Sequence, residues 1–395
     1  MTQHQPEFTG PLDGIKVLDL SKILAGPYAT MSLADLGAEV IKVEHPEGGD
    51  PTRHWGPPFM GEDATYYFAA NRGKRSVTID LKSEEGQRVV FRMLEEADVV
   101  VENFKPGSGL QRIFDYRALS ERFPQLVVLH ISAFGDEGPL KDEPGYDMIA
   151  QAAGGLMSLT GEAGGKPYKS GFAIGDLGAS LFGLIGLLAA LVERSRTGRG
   201  QYVTTSLYEG QLALHAAWAT HHFATGERPV ALGSRHANLA PYQAYATQDG
   251  YIVIAAGNNA LWQKLCAALA RPDLAVDPDF TENSGRVVNV QRLEQELEKS
   301  LAENTVDYWY EHFTAAGVPS SPIRSLDQVY AHPHTVALDI IQTVEHPAVG
   351  SVRQIAFPVN FRGQRPPVTV APPEFGADND EILARYAPHK EAAGA

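Results

Sequence analysis

The fold of this chain is decided by residues 14–44, GIKVLDLSKILAGPYATMSLADLGAEVIKVE. A short apolar run, GIKVLDL at 14–20, predicts a β-strand, and AEVIKVE at 38–44 predicts a second one. Between them, GPYATMSLADLG at 26–37 predicts a helix, because Pro27 suits the first helical turn and Gly37 the stop. A strand, a helix and a strand in this order are typical of two parallel strands in one sheet.

The same alternation continues through the first third of the chain. Further strands are predicted at 76–81 (SVTIDL), 97–104 (ADVVVENF) and 125–134 (QLVVLHISAF), with a helix at 83–97. We therefore expect an α/β fold with a mostly parallel sheet covered on both faces. A strand in DGYIVIAAGN (249–258), followed by helices at 259–270, 286–303 and 305–316, predicts a smaller α/β unit.

Composition limits the class of protein. A net charge of −15 over 395 residues argues against nucleic acid or an anionic membrane as the main partner. The single cysteine, Cys266, excludes an internal disulfide framework and a multi-cysteine metal site. The first residues lack a secretory signal pattern, and the uncharged run 177–192 is short for a membrane span, so we expect a cytoplasmic protein with a buried core helix.

The loop after the first predicted strand lacks the signature of a dinucleotide site. A nicotinamide-binding turn needs G-x-G-x-x-G, and SKILAGP (21–27) contains only Gly26. Glu44 ends the second strand where such enzymes carry a ribose-binding acid, but without the glycines this match is weak. The sequence therefore disfavours a nicotinamide dehydrogenase.

Basic residues after another strand indicate an anion site. ENFKPGSGLQR (102–112) follows ADVVV directly, and loops at the carboxyl ends of parallel strands form the ligand crevice. Lys105 and Arg112 are placed to clamp a diphosphate or a ribose phosphate. The alternative is a solvated loop.

One acid, Asp176, begins a long apolar stretch, GFAIGDLGASLFGLIGLL at 171–188. Its place at a predicted helix start favours an N-cap. A nucleophile is the other interpretation, because helix N–H groups that keep a carboxylate ionised also prepare it to attack a carbonyl carbon.

These stretches together resemble the class III CoA-transferases, the family of formyl-CoA transferase and carnitine-CoA transferase. The resemblance runs through GDPTRHWGPP, NRGKRSVTIDLK, GYDMIAQAAGG, GDLGASLFGLIGLLAAL, RTGRGQYVTTSLYEG, AGVPSSPI and APPEFG as well as the segments above. It implies a Rossmann-like large domain, residues 1–225 completed by 335–395, and a small α/β domain at 226–334. It also implies an interlocked, ring-like homodimer.

The resemblance assigns roles to individual residues. Asp176 falls on the catalytic aspartate of the family, and the CoA contacts fall on Leu24, Ala25, His45, Lys74, Arg75, Asn103, Phe104, Lys105 and Arg112. His45 and Pro144 stand where formyl-CoA transferase has an arginine and a lysine, which leaves the phosphate contacts open.

The implied reaction moves CoA from a donor acyl-CoA to a small carboxylic acid through anhydrides and an aspartyl-CoA thioester on Asp176. Its co-substrate is a CoA thioester, and it requires no permanently bound cofactor, ATP or metal. Glycine N–H groups within 160–165 or 175–178 are candidates to hold the oxyanions.

Two other functions remain open at this point. An α-methylacyl-CoA racemase resembles the same family but carries a histidine in GHD, where this chain has Tyr146 in GYD, a poor proton shuttle at neutral pH. The second is a non-catalytic CoA-thioester-binding protein, which would not need the nucleophile that GDLG contains, because binding alone requires none.

The substrate residues are less defined. Aromatic and basic side chains near the acid are the candidates: His54, Tyr67, Tyr146, Tyr168, Lys169, Arg235 and His236. Arg235 is suited either to a second carboxylate of the substrate or to a structural salt bridge. The absence of the glycine-rich run of formyl-CoA transferase favours succinyl-CoA and a small dicarboxylic or hydroxy acid.

Overall fold

The computed structural model describes residues 8–386. In chain order, the helices and strands are β1 Lys16–Asp19, α1 Ala25–Asp35, β2 Glu39–Glu44, β3 Phe59–Met60, β4 Asp63–Ala64, α2 Thr65–Phe68, β5 Lys74–Thr78, α3 Glu84–Glu96, β6 Val99–Glu102, α4 Gly109–Ile113, α5 Tyr116–Arg122, β7 Val127–Ser132, α6 Asp147–Ala153, α7 Leu156–Leu159, α8 Ile174–Thr197, β8 Tyr202–Ser206, α9 Leu207–Leu214 and α10 Ala217–Thr225. They continue with β9 Tyr242–Ala246, β10 Tyr251–Ala255, α11 Asn259–Ala268, α12 Pro272–Val276, α13 Asn283–Val288, α14 Val290–Leu301, α15 Val306–Ala316, β11 Ser320–Pro322, α16 Leu326–Ala331, α17 Pro333–Ala337, β12 Ile341–His346, β13 Gly350–Ile355 and α18 Asn379–Tyr386.

Six parallel strands form the central sheet, in the order β5-β2-β1-β6-β7-β8. The predicted parallel α/β sheet is therefore confirmed, and β8 is a strand that the sequence analysis did not predict. The chain order reverses between β1 and β6. In open parallel sheets, ligands bind outside the carboxyl ends of the strands at such a reversal.

The two faces of this sheet bury separate apolar cores. Side chains alternate along each strand, so Val17 packs with α1 and α8 while Leu18 packs on the opposite face with α3 and α5. On β6, Val99 likewise packs in the first of these cores and Val100 in the second. Burial on both faces explains why these strands are continuous apolar runs.

The chain divides into two compact units. Within the described residues, the larger unit comprises 8–156, 169–225 and 333–386, and the smaller comprises 157–168 and 226–332. The smaller unit has an antiparallel sheet, β11-β10-β9, with Trp262 and Phe313 in its core. Residues 157–168 belong to the smaller unit, whereas the sequence analysis placed them in the large domain.

Helix α8 is the long apolar helix of the larger unit. It is the one helix within residues 8–386 that is long and apolar enough to cross a membrane, with a mean hydropathy of 1.9. Half of that apolar window is buried, and Leu184 and Leu187 pack in the core beside β7. The same length and composition occur in core helices of soluble proteins, so this helix is weak evidence for a membrane span.

Candidate active site

A cavity of about 250 Å³ lies at the point where the strand order reverses. Its walls come from the segments that follow β1, β6 and β7 and from the start of α8. The residues that define it are Lys22, Ile23, Leu24, Ala25, Asn103, Phe104, Lys105, Pro106, Ile131, Ser132, Ala133, Glu143, Pro144, Gly145, Tyr146, Asp176 and Leu207. Five of the residues predicted to contact CoA and the predicted nucleophile therefore line one cavity.

Asn103 joins the two loops on either side of the reversal. Its amide accepts from Lys22 N at 3.0 Å and donates to Lys22 O at 2.8 Å. Because both polar atoms of the amide are engaged, Asn103 acts here as a clamp between the loops after β1 and β6.

The loop after β1 contains a strained residue. Ile23 has a φ of 74°, a conformation that is costly for a β-branched side chain. Its N–H points to the Asp50 carboxylate at 3.2 Å, and Asp50 in turn contacts Lys42 Nζ at 2.9 Å. Lys42 also donates to Ser21 O at 3.0 Å. A buried ion pair thus holds the strained backbone in place against the cavity.

Lys74 is part of the scaffold, and it does not reach the cavity. Its side chain is buried, and its three protons have three acceptors: Asp19 Oδ2 at 3.0 Å, Pro27 O at 2.9 Å and Asn71 Oδ1 at 2.8 Å. The contact with CoA expected for Lys74 therefore has no support from the geometry, because the buried Asp19 carboxylate already takes its charge.

Arg75 also has internal partners. It points away from Lys74 along β5, and its guanidinium contacts Asp378 at 2.9 Å and Glu381 at 2.7 Å. These carboxylates belong to the segment around α18. Arg75 does not line the cavity, and its geometry is that of a link between the sheet and the C-terminal helix.

Asp176 is the third residue of α8 and is not its N-cap. The helix begins after Ala173, and no side chain of that residue caps it. Asp147 supplies the missing acceptor from outside, because its Oδ1 accepts from Gly175 N at 2.8 Å. The expected N-cap role of Asp176 is therefore wrong, and its carboxylate is not used to cap the helix.

The carboxylate of Asp176 is half-buried and receives no hydrogen bond from any residue in the range 8–386. Burial, together with the charge of Asp147, raises the pKa of Asp176 to about 7. The helix start was expected to keep this group ionised, but desolvation outweighs that effect. At neutral pH, the carboxylate is poised between its two protonation states.

Two backbone N–H groups beside Asp176 are already engaged. Gly175 N donates to Asp147, and Leu177 N donates to Ala173 O at 2.9 Å within the helix. Neither is free to hold an oxyanion, so the candidate range 175–178 loses these two donors.

Tyr66, which the sequence analysis did not select, lies in the electrostatic field of Asp176. Burial raises its pKa, and the charges of Asp176 and Asp147 raise it further. The neighbouring Tyr67, the predicted candidate, is fully buried, and its hydroxyl accepts from Arg53 Nη2 at 2.7 Å. The sequence TYYF contains no feature that distinguishes Tyr66 from Tyr67.

The remaining predicted CoA contacts occupy two neighbouring cavities. Phe104 and the exposed Lys105 line the first, whereas His45 lines a second cavity of about 350 Å³ that shares Lys22 and Phe104 with it. Arg112, on α4, lines neither, and it donates to Gly107 O at 3.1 Å in the preceding loop.

The two predicted substrate residues differ in their surroundings. Tyr146 is 61% exposed and lines the cavity with Asp176. Arg235 belongs to the smaller unit, where its guanidinium pairs with Glu294. Over residues 8–386, no group of three or more His, Cys, Asp and Glu side chains is arranged to hold a metal ion.

Comparison with known proteins agrees with this geometry. The sequence pattern of CoA-transferase family III matches residues 12–379. The chain belongs to this family. It is 36% identical over 373 residues to a succinyl-CoA:glutarate CoA-transferase of Homo sapiens, covering 94% of this chain and 85% of that one. It is 37% identical to a succinate–glutarate CoA-transferase of Agrobacterium fabrum, covering 96% of both chains.

The fold agrees as well. A CAIB/BAIF family protein from Brucella suis superposes with a TM-score of 0.85 at 39% identity, covering 96% of this chain and 100% of that one. This CoA-transferase family member is therefore an enzyme that transfers CoA between acyl-CoA and carboxylic acids, and the predicted family and reaction class are confirmed.

Proposed function

We propose that this enzyme transfers CoA from succinyl-CoA to a small dicarboxylic acid, with Asp176 as the nucleophile. Asp176 attacks the donor thioester, which forms a mixed anhydride and releases the CoA thiolate. The thiolate then attacks the carbonyl carbon of Asp176, forming an aspartyl-CoA thioester and releasing the donor acid.

The second half of the reaction reverses these steps with the acceptor. The acceptor carboxylate attacks the aspartyl-CoA thioester, forming a second anhydride and freeing the thiolate. The thiolate attacks the acceptor carbonyl, giving the new acyl-CoA and the free carboxylate of Asp176. Each bond that breaks is replaced by one of similar energy.

The observation that carries this proposal is the unpaired carboxylate of Asp176 in the cavity at the strand reversal. Of the two carboxylates that line the cavity, Asp176 and Glu143, Asp176 lies in the first turn of α8, and burial with the charge of Asp147 raises its pKa to about 7. A nucleophile must be ionised when it attacks, and it reacts best without partners whose hydrogen bonds must first be broken. Asp176 is partly ionised at neutral pH, and none of the described residues donates a hydrogen bond to its carboxylate.

The choice of substrates rests on the relatives and on the charges of the cavity. The human and Agrobacterium relatives are named for succinyl-CoA or succinate and for glutarate. Lys22 and Lys105 line the cavity and provide positive charge for the phosphates of CoA or for a second carboxylate. A panel of acyl-CoA donors and mono- and dicarboxylic acids, followed by mass spectrometry, tests this choice.

The nucleophile is tested by trapping. The enzyme is mixed with succinyl-CoA alone, treated with hydroxylamine and digested, and the peptide that contains Asp176 should carry a hydroxamate. The matched variant Glu143→Ala removes the other cavity carboxylate and should retain the modification. A hydroxamate on any other residue, or none on the wild type, would contradict the proposal.

We also propose a homodimer, interlocked as the family resemblance implies. Helix α8 presents an apolar face on which Leu181, Ile185 and Val192 are each at least half exposed. Helix α9 adds Leu212 and Leu214. Apolar patches of this kind usually mark an interface. Sedimentation should give twice the chain mass, and a monomer would contradict the proposal.

A further inference from the structure

A buried ionic cluster lies next to the active-site cavity and has no part in the reaction steps. Its centre is His130 on β7, and its other members are Glu102 at the end of β6, Asp136 after β7 and Tyr116 on α5. The Nδ1 atom of His130 pairs with Glu102 Oε1, and its Nε2 lies 3.3 Å from Asp136 Oδ1. His130 and Glu102 are almost wholly buried.

The imidazole of His130 balances the charge of two carboxylates. Burial opposes a charge on the ring, but hydrogen bonds to Asp136 and Glu102 outweigh that effect and raise the pKa of His130 to about 9. Tyr116 stacks on the ring at 4.8 Å and donates its hydroxyl to Asp136 Oδ2 at 2.6 Å. At neutral pH, the cluster therefore holds a buried imidazolium between two carboxylates.

The cluster connects directly to the cavity wall. The second oxygen of Glu102 accepts from Phe104 N at 2.8 Å. Phe104 and the next residue, Lys105, line the cavity that contains Asp176. An oriented Glu102 carboxylate therefore fixes the first turn of the loop that presents Lys105.

We propose that His130 is a positioning residue for CoA: held between Glu102 and Asp136, it fixes the Phe104–Lys105 segment in the conformation that binds the co-substrate. This inference rests on the proposed function, because it assumes that the cavity receives CoA. It concerns binding alone, since Asp176 is positioned separately, through α8 and Asp147.

The charged surroundings of His130 bear on its titration. Besides Glu102 and Asp136, the titratable groups around the ring and the adjoining cleft of about 160 Å³ are Tyr116, Arg117, Asp115, Tyr202, Lys141 and Asp142. The two carboxylates that touch the ring are the only ones in hydrogen-bond contact with it among the described residues. Deprotonation of His130 above pH 9 leaves both without their shared cation.

The test compares His130→Gln with the wild type in calorimetric binding of CoA and in succinyl-CoA kinetics. Glutamine keeps hydrogen-bonding capacity without the charge, so we expect the Kd for CoA and the donor KM to rise roughly tenfold. We expect kcat at saturating donor to stay within about twofold, because Asp176 is untouched. In the wild type, the Kd should rise as pH passes 9, and in His130→Gln this rise should disappear.

A matched control is His346→Gln, which removes another buried histidine, one that packs on Phe68 outside the cluster. It should leave the Kd for CoA unchanged. If His130→Gln does not fold, Tyr116→Phe removes only the hydroxyl bond to Asp136 and should raise the Kd in the same direction by a smaller factor.

Three results would overturn the inference: an unchanged Kd in His130→Gln or, where that variant does not fold, in Tyr116→Phe; an equal rise in His346→Gln; or a loss of kcat with an unchanged KM. Calorimetry with CoA reads binding without turnover. Failure of the wild type to transfer CoA from succinyl-CoA would contradict the proposed function and leave this binding measurement valid.

Discussion

Asp19 and Asp176 are two carboxylates of the larger unit whose pKa values shift in opposite directions. Burial by itself would raise the pKa of Asp19. The charges of Lys74 and Lys42 and hydrogen bonds from Ser21 and Thr30 outweigh burial and lower that pKa to about 2. Asp176 has no such partners, and burial with the charge of Asp147 raises its pKa to about 7. The protein thus supplies cations to the carboxylate of the scaffold and withholds them from the proposed nucleophile.

This difference teaches how the site combines rigidity with reactivity. The ion pairs of Asp19 and Asp50 lie behind the strained loop at Ile23 and make it stiff. A carboxylate stabilised to that degree would be a poor nucleophile, because an attack would first have to break its hydrogen bonds. Paired charges next to the cavity therefore supply rigidity, and the proposed reaction takes place on an unpaired charge within it.

The largest effect is expected at the unpaired acid. Asp176→Ala should lower CoA transfer by at least about a thousandfold, since both anhydrides of the proposed reaction form on this carboxylate. Its thermal stability should stay equal to or above that of the wild type, because a costly buried carboxylate is removed. Steady-state kinetics and calorimetry measure both. Transfer within tenfold of the wild type would remove Asp176 from the mechanism.

The next effect is expected at the paired acid. Asp19→Asn leaves the buried ammonium of Lys74 without its carboxylate and should lower the free energy of unfolding by about 3 kcal/mol. In the wild type, the stabilisation by Asp19 is present above its unfolded pKa near 4 and is lost as pH falls toward 2. Urea unfolding at pH 7 measures the change.

Asp273→Asn is the matched control for this prediction. It breaks an exposed pair with Arg271, at 2.7 Å, that water already screens, so the unfolding midpoint should hardly move. Equal losses in Asp19→Asn and Asp273→Asn would contradict the assignment of Asp19 to the scaffold.

The sequence predicted the sheet better than it predicted the site. Apolar runs and a strand–helix–strand order are local patterns, and they were sufficient to predict the parallel sheet. Pairing of charges is not local. Lys74 and Asp19 are 55 positions apart and meet only because β5 and β1 lie in one sheet, so a basic residue in NRGKRS resembled an exposed ligand contact.

The protonation of Asp176 was missed for a related reason. A carboxylate in the first turn of a helix is normally stabilised, and the sequence contains that turn. It does not show that Asp147, 29 positions earlier, takes the free N–H of Gly175 and adds a like charge. His130 carried a visible signal, a histidine within the apolar strand VVLHIS, but its two carboxylate partners become evident only in three dimensions.

The like charge of Asp147 can be removed to test how the pKa of Asp176 is set. In the wild type, kcat/KM for the donor should rise about tenfold per pH unit below 7 and level off between about 7 and 9, because only ionised Asp176 attacks in the proposed reaction. Asp147→Asn should move the midpoint to lower pH, although it should stay above 4 because burial is the larger cause. A pH profile of kcat/KM measures the shift.

Glu143→Gln is the control, since Glu143 lines the cavity but does not contribute to the pKa of Asp176. Its midpoint should match the wild type. A midpoint that moves upward in Asp147→Asn would show that the hydrogen bond to Gly175, and not the charge, dominates the effect of Asp147.

The smallest effect is expected at Arg235, which belongs to the paired charges in this comparison of paired and unpaired groups. Its guanidinium is already matched with Glu294 at a partly exposed position, so Arg235→Ala should cost less than about 1 kcal/mol of stability. If the pair is purely structural, the KM values for glutarate and for a monocarboxylic acid such as butyrate should change by equal factors. That is the result we expect, because breaking the pair to bind a substrate would leave Glu294 without a counter-charge. A rise in KM for glutarate alone would instead assign Arg235 to the second carboxylate and show that a paired group can also recognise substrate.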